Sequence, residues 1–180
     1  MEDAAFGVLE TPRLVLRRFA AADAPALAAY RSDPEVARYQ DGATPYAEAE
    51  ALRFIASLDG LPPGRPGTWL QLALVLAGDG TLVGDVGLHT EPGDGRRGEL
   101  GFTLARAQQG RGLASEALPV LVAYAFDRLQ MQQLRARTDA RNRPAQRLLA
   151  RLGFRRQGDE RVRFKGEWAT DLLYAKLAGG

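Results

Sequence analysis

The chain has 180 residues, of which 46% are hydrophobic and 26% charged, and its formal net charge is +2. This length and hydrophobic content suit a single domain, residues 1–180, with a core large enough to need no covalent crosslinks. The lack of cysteine excludes a disulfide scaffold, a thiolate zinc site and a cysteine nucleophile, and it favours a cytoplasmic location. The acidic start at Met1 to Asp3 leads into no long apolar run, so the sequence supports neither a signal peptide nor a membrane span.

Charge is distributed unevenly along the chain. Residues 1–95 carry 7 basic and 14 acidic side chains, a net charge of −7, whereas residues 96–180 carry 17 and 8, a net charge of +9. The arginines of the second half are spread over several elements, few aromatic residues alternate with them, and no nucleic-acid-binding motif is present. A polyphosphate ligand therefore explains the basic half more simply than a nucleic acid, while solvated helix faces account for many of the arginines individually.

The first half of the chain predicts a strand, two helices and then an antiparallel meander. Leu14 and Leu16 indicate the first strand, and Asp23 is a candidate N-cap for an alanine-rich helix through Tyr30. Thr44-Pro45 predicts the start of a second helix that ends at Gly60. Strands follow over 69–76, 82–89 and 97–104, and the Gly-rich turns between them are typical of hairpins.

The segment from Gly110 to Ser115 is the most informative part of the chain. Gly110 and Gly112 lead directly into an amphipathic helix predicted over 113–129. Glycines permit a sharp turn, and the first N–H groups of a helix lack internal partners and carry partial positive charge, so a phosphate can bind there. Arg111 adds a full positive charge. The alternative is an ordinary helix start after a Gly-rich loop, because isolated glycine patterns are weak signals.

The remainder predicts a strand over 133–139, a helix that begins after Asn142 and ends at Gly153, and strands over 154–177. A strand, a Gly-rich turn and a helix also occur in dinucleotide-binding folds. The antiparallel meander that precedes them argues against such a doubly wound sheet.

Taken together, the motifs resemble in order those of the GNAT family of N-acetyltransferases, in its branch of ribosomal-protein alanine N-acetyltransferases (RimJ/RimL-like). The resemblance covers nearly the whole chain. The matching segments are Leu14-Val15-Leu16-Arg17, Ser32-Asp33-Pro34-Glu35-Val36, Val83-Gly84-Asp85-Val86-Gly87-Leu88, Glu99-Leu100-Gly101-Phe102, Gln109-Gly110-Arg111-Gly112-Leu113-Ala114, Ala140-Arg141-Asn142 and Leu148-Leu149-Ala150-Arg151-Leu152-Gly153-Phe154.

The resemblance implies a fold of the α/β (α+β) class with a mixed, mostly antiparallel central sheet and flanking helices. Two of its strands are expected to splay apart into a wedge that admits acetyl-CoA. The residues implied to contact the pantetheine arm are Phe102, Thr103, Leu104 and Asn142. Those implied to hold the pyrophosphate are Gly110, Arg111, Gly112, Leu113, Ala114 and Ser115, and Gln109, the first residue of the acetyl-CoA signature, is implied to bind the cofactor as well. Arg147 either reaches a phosphate or is an exposed helix arginine.

Acetyl transfer to an amine requires a neutral nucleophile, donors for the thioester oxygen and a proton for the departing thiolate. Glu99, where the family often places a carboxylate, and His89, the only histidine, are the candidate bases, and both have a structural alternative. Relatives in this branch commonly have serine where this chain has Ala145, so their thiolate-facing hydroxyl is absent here. Water, Ser115 or Tyr174 remain as proton sources.

The acceptor is expected to be an amine bound by the loops over 39–46 and 61–69, with Tyr46 and Trp69 as candidate lining residues. A protein N-terminus, an aminoglycoside and a small-molecule amine stay open, and the acidic first half favours a cationic acceptor. No metal site is predicted, and a homodimer is compatible with the branch. A catalytically silent acyl-CoA sensor and a nucleic-acid-binding module are the alternative functions.

Overall fold

The computed structural model describes residues 6–40, 42 and 44–180. The strands are β1 Leu9–Glu10, β2 Leu14–Arg18, β3 Trp69–Leu76, β4 Leu82–Thr90, β5 Arg97–Leu104, β6 Gln133–Asp139, β7 Arg155–Phe164 and β8 Glu167–Leu177. The helices are α1 Ala24–Ser32, α2 Pro34–Ala37, α3 Glu48–Ser57, α4 Leu113–Ala123 and α5 Arg143–Arg151. Within the described ranges, no helix combines the length and apolar character needed to cross a bilayer.

The described strands form one mixed sheet in the order β1-β2-β3-β4-β5-β6-β8-β7. All neighbouring pairs are antiparallel except β5 and β6. The predicted meander is therefore confirmed as β3-β4-β5. Close packing within it depends on glycine, because a Cβ at Gly84 would clash with the carbonyl oxygen of Thr103 on β5.

Strands β5 and β6 separate partway along their length. They pair in parallel only where Arg97–Glu99 faces Gln133–Arg135. Beyond that point β5 remains paired with β4 as far as Leu104, and β6 remains paired with β8 as far as Asp139. The edges that face each other over 100–104 and 136–139 thus have no strand partner, and they bound a wedge that opens in the middle of the sheet. The predicted splay of these strands is confirmed.

The two faces of the sheet are covered by different helices. Helix α4 packs its buried leucines against one face, together with side chains from β2 to β6. Helices α1 and α3 cover the other face near Ala73 and Val75 of β3. Side chains alternate between the two faces along a strand, and register partners lie on the same face. Asp85 contacts α1, so Asp85 and its register partner Thr103 lie on the face covered by α1 and α3, which we call the α1/α3 face.

Three local predictions need correction. Helix α3 begins at Glu48 and not at Thr44-Pro45, because the N–H of Ala47 donates to the Glu50 carboxylate at 2.8 Å and so fixes the first turn there. Asp23 directly precedes α1, but its carboxylate accepts from the N–H of Ala20 and from Arg17 instead of capping that helix. The helix predicted over 113–129 is α-helical only to Ala123 and continues as a π-helical turn to Arg128.

Candidate functional site

The start of helix α4 has the geometry of an anion site. Gly110 and Gly112 both have positive φ, at 72° and 78°, a backbone conformation that strongly favours glycine. The first hydrogen bond at this end of the helix runs from the N–H of Glu116 to the carbonyl of Gly112, at 3.1 Å. The preceding amides of Leu113, Ala114 and Ser115 therefore have no acceptor within the helix.

A neighbouring ion pair fixes this helix start. Arg13 Nε lies 2.6 Å from Glu116 Oε2, and Arg13 Nη1 donates to the carbonyl of Arg111 at 3.0 Å. The hydroxyl of Thr11 donates to Glu116 Oε1 at 2.6 Å. The Thr11 hydroxyl and Arg13 together lower the pKa of Glu116 below its ordinary value. Since the Glu116 charge is paired with Arg13, it offsets little of the positive potential at the helix start.

These amides border a cavity of about 660 Å³, which we call the wedge cavity because it lies at the opening between β5 and β6. The predicted cofactor-binding residues that border it are Phe102, Thr103, Leu104, Gln109, Gly110, Gly112, Leu113, Ala114, Ser115, Asn142 and Arg147. Arg111 is not among the described residues that border it, and its guanidinium donates to the side chain of Gln108. Gln109 Nε2 donates to the carbonyl of Leu104 at 3.1 Å and joins the loop to the end of β5.

The wedge cavity is strongly basic. Its charged lining residues are Arg38, Arg106, Arg147, Arg151 and Glu35. Arg151 lies close to the start of α4, because its Nη2 donates to Ser115 Oγ at 3.0 Å. Sequence reasoning missed Arg38, Arg106 and Arg151. The spacing of Arg143, Arg147 and Arg151 is a signal that was present, since residues four apart share a helix face.

The loop before α5 is held by polar contacts. Asp139 accepts from the N–H of Arg141 at 2.7 Å and from Arg141 Nη2 at 2.6 Å. These bonds from Arg141 lower the pKa of Asp139 below its ordinary value. Asn142 caps α5 by accepting from the N–H of Ala145 at 3.3 Å. Ala145 borders the wedge cavity, so the serine hydroxyl that the resembling branch commonly has at this position would lie on the cavity wall.

A second cavity, of about 520 Å³, lies on the α1/α3 face of the sheet. Tyr46 and Trp69, which the sequence predicts to line an acceptor site, both border this cavity. The Trp69 ring packs closely over Gly87 of β4, where an added Cβ would lie 2.9 Å from the ring. The residues that border both cavities are Val36, Gln40, Phe102 and Thr103. The two cavities therefore meet beside β5.

A buried polar cluster forms part of the second cavity and was missed from the sequence. The carboxylate of Asp85, 2% exposed, accepts from the Tyr30 hydroxyl, from Gln71 Nε2 at 2.7 Å and from Arg31 Nη2 at 3.4 Å. Burial and the Asp85 charge raise the pKa of Tyr30 far above its ordinary value, so Tyr30 stays a phenol donor. Burial, the largest single influence, lowers the pKa of Arg31, but the Asp85 carboxylate together with Tyr30 and Tyr46 raises it above its ordinary value, so Arg31 remains a cation.

The signal for this cluster is one carboxylate within the otherwise apolar and glycine-rich strand β4. A buried charge requires a partner, and the sequence does not indicate which cation supplies it. Among the described residues, no group of three or more histidine, aspartate or glutamate side chains is placed to hold a metal ion.

Comparison with known proteins agrees with the geometry of the wedge. Residues 13–155 match the family described as acetyltransferase (GNAT) domain. The chain belongs to the GNAT acetyltransferase family. Membership makes this protein an acyltransferase and confirms the family that the sequence motifs indicated.

Relatives and solved structures support the same assignment. The uncharacterised N-acetyltransferase p20 of Bacillus licheniformis is 31% identical over 151 residues, which span 83% of each chain. A GNAT-family acetyltransferase from Bacillus anthracis superposes with a TM-score of 0.84 at 25% identity, covering 95% of this chain and 98% of the other. RimJ from Mycobacterium smegmatis, in complex with CoA-disulfide, has a TM-score of 0.81 at 25% identity and covers 96% and 86%.

In this GNAT acetyltransferase the two candidate bases lie side by side. His89 on β4 and Glu99 on β5 are register partners, and the His89 ring contacts the Trp69 ring in a tilted arrangement with centroids 5.1 Å apart. Glu99 forms an ion pair with Arg137. Neither His89 nor Glu99 is among the described residues that border the two cavities. Of the candidate proton donors, Ser115 borders the wedge cavity, whereas Tyr174 is buried in the core beneath α4.

Proposed function

We propose that this protein is an acetyl-CoA-dependent N-acetyltransferase, with the whole chain acting as one catalytic domain on a primary amine. The observation that carries the proposal is the wedge cavity itself. It places unpaired helix amides and several arginines at one end and the unpaired edge of β5 at the other. RimJ from Mycobacterium smegmatis, similar in fold at 25% identity, was solved in complex with CoA-disulfide, which supports a CoA ligand here.

The wedge cavity offers a separate group to each part of acetyl-CoA. The α4 amides and the Arg147 and Arg151 guanidiniums suit the phosphates, because charge-assisted bonds to phosphate are strong. The backbone over 102–104 suits the amide groups of the pantetheine arm, since its edge toward β6 is unpaired. The thioester would then lie where the two cavities meet, beside Phe102 and Thr103.

The acceptor amine enters from the second cavity and reacts as a neutral nucleophile. Its nitrogen attacks the thioester carbonyl carbon, the C–N bond forms, and the C–S bond breaks with CoA leaving as the thiolate. The proton lost by the acceptor nitrogen passes through water to the Glu99 carboxylate, which we favour over His89 because Glu99 lies on β5 at the point where β5 and β6 separate. The thiolate takes a proton from solvent, because Ala145 supplies no hydroxyl.

One observation favours a second function, an acyl-CoA sensor without catalysis. The wall position at Ala145 has no proton donor, and both candidate bases lie outside the two cavities. Calorimetry with acetyl-CoA and a thiol-release assay on a panel of amines separate the two functions. Binding followed by thiol release supports the transferase, and binding without release for any amine supports the sensor. Binding of duplex DNA with a steep salt dependence and no affinity for CoA would contradict both.

A further inference from the structure

We propose that Arg31 forms a carboxylate-binding subsite in the second cavity, so that the preferred acceptor is a small amino acid with an apolar side chain. This inference rests on the proposed N-acetyltransferase function and names the class of acceptor. The net charge of the first half of the chain favours a cationic acceptor, whereas this proposal names one with a carboxylate. The two differ because the charge inside the second cavity depends on the few charged residues that border it and not on the whole first half.

The guanidinium of Arg31 is held in a fixed orientation. It lies over the Phe54 ring at 4.7 Å and over the Tyr46 ring at 5.4 Å from the respective centroids. Its Nη2 also lies 3.4 Å from Asp85 Oδ2. A planar cation fixed in this way loses little conformational freedom when it binds a ligand.

Most hydrogen-bonding capacity of Arg31 remains available to a ligand. Among the described residues its guanidinium meets two polar partners, the Asp85 carboxylate at 3.4 Å and the nearby Tyr30 hydroxyl. No buried side-chain nitrogen or oxygen of these residues lacks a partner, so the remaining guanidinium nitrogens are not sealed in the core. The Arg31 side chain is 27% exposed and borders the second cavity. The unused N–H groups therefore face its solvent, and a carboxylate matches their planar geometry.

Asp85 does not compete for this role. Its oxygens already accept from Tyr30 and Gln71, and it is almost fully buried. Its negative charge fixes Arg31 and balances its charge, so Asp85 is a positioning residue. Among the described residues that border the second cavity, Arg31 and Asp85 are the only charged ones, so no other group repels an anion there.

The position of the subsite sets the distance between the acceptor's carboxylate and its amine. Asp85 and Thr103 are register partners on adjacent strands, about 5 Å apart. Thr103 borders both cavities. Arg31, in contact with Asp85, therefore lies on the same face of the sheet as Thr103 and near the point where the cavities meet. This proximity favours a short acceptor whose carboxylate and amine are close together, as in an amino acid.

The remaining walls select the body of the acceptor. The apolar and aromatic side chains that border the cavity include Tyr46, Phe54, Leu58, Leu61 and Trp69. Burying an apolar side chain against them is favourable, and a second charge there would lose its hydration. We therefore expect acceptors such as phenylalanine and leucine.

The test uses matched acceptors that differ only in the carboxylate. Phenylalanine, phenylalaninamide and phenethylamine are compared, as are leucine, leucinamide and isopentylamine, with kcat/KM measured by thiol release. We expect each amino acid to exceed its amide and its decarboxylated amine by about tenfold or more. Arg31→Gln should reduce that ratio to near unity, and Arg31→Lys should retain part of it. Arg53→Gln, which removes the same charge from an exposed position on α3 outside the cavity, should leave the ratio unchanged.

The failure of this subsite is distinguishable from failure of the transferase. Amides and simple amines acetylated as well as the amino acids would overturn the subsite and leave the N-acetyltransferase intact. Preferred acetylation of peptides that begin with the same residues would also overturn it. If no amine is acetylated although acetyl-CoA binds, the proposed function fails. The subsite is then tested by calorimetry, in which phenylalanine is titrated into the CoA complex. Absence of phenylalanine binding would overturn the subsite. If Arg31→Gln fails to fold, the double variant Arg31→Gln with Asp85→Asn removes both charges, and the same ratio of kcat/KM values is measured in that variant.

Discussion

Arg137 Nε lies 3.3 Å from Glu99 Oε1 across the point at which β5 and β6 separate. Backbone pairing of the two strands ends at Glu99 and Arg135, so this ion pair links side chains just where the main-chain ladder stops. Both side chains are partly exposed, at 33% for Glu99 and 53% for Arg137. The narrow end of the wedge therefore carries a water-accessible carboxylate on the face of the sheet that contacts α1.

Glu99→Gln tests whether this carboxylate accepts the proton of the acceptor. We expect kcat to fall by about 10²-fold or more and the rise of the rate with pH to weaken, because a general base contributes on that order. The dissociation constant for acetyl-CoA, measured by calorimetry, should stay unchanged. Glu160→Gln, at an exposed position of β7, is the control for the lost charge. A Glu99→Gln enzyme with full rate and an unaltered pH profile would direct attention to His89.

Gly112→Glu should weaken CoA binding by about tenfold or more, because it places a carboxylate beside the phosphates. It also imposes backbone strain, since Gly112 has a φ of 78°. Gly80→Glu is the matched control, because Gly80 has a φ of 72° in the β3–β4 turn, away from both cavities. Calorimetry on both variants separates a local effect at the start of α4 from the general effect of an added carboxylate and a strained turn. Equal CoA affinity in the two proteins would count against phosphate binding at α4.

Arg151→Gln should raise the dissociation constant for CoA by about tenfold, because it removes a charge-assisted contact near Ser115. The salt dependence of binding should decrease in the same variant, since fewer charges are paired. Arg128→Gln removes an equal charge from the π-helical turn, outside the wedge cavity, and should change neither quantity. If both variants respond alike, the effect is one of overall charge and not of a phosphate contact.

The parts of the site that could be predicted are those determined by local backbone chemistry. Gly110 and Gly112 have the positive φ that a sharp turn into a helix requires, and Asn142 caps α5 with its side chain. Each of these depends on residues within one or two turns of the chain. The same holds for the meander, whose glycine-containing turns predict hairpins.

The parts that could not be predicted depend on contacts between distant residues. Arg31 meets Asp85 only because α1 packs on the sheet, and the sequence does not indicate that pairing. Arg151 reaches Ser115 only because α5 lies beside the start of α4. The beginning of α3 was misplaced for a different reason: proline favours the first turn of a helix, but the Glu50 carboxylate binds the N–H of Ala47 and defines a later start.

Asp139→Asn should destabilise the protein at neutral pH by about 1 kcal/mol, because it weakens the bonds from Arg141. The pKa of Asp139 is lowered in the folded state, so its contribution is present above the ordinary carboxyl pKa and is lost as the pH falls through the lower folded pKa. The difference in unfolding free energy between wild type and variant should therefore shrink below about pH 4. Urea titrations from pH 7 to pH 2 measure it, with Asp159→Asn, from the exposed pair with Arg156, as control. A difference that persists at pH 2 would contradict this account.

The two cavities have Val36, Gln40, Phe102 and Thr103 in common, and each is bordered by further residues that the other lacks. In the proposed function the wedge cavity takes acetyl-CoA and the second cavity takes the amine, and Tyr46, Phe54, Leu58 and Leu61 border only the second. We therefore expect replacements of these four residues to alter amine preference while leaving acetyl-CoA binding intact. A mutant library confined to residues 46, 54, 58 and 61 is accordingly an economical starting point for evolving new acetylation specificities on this scaffold.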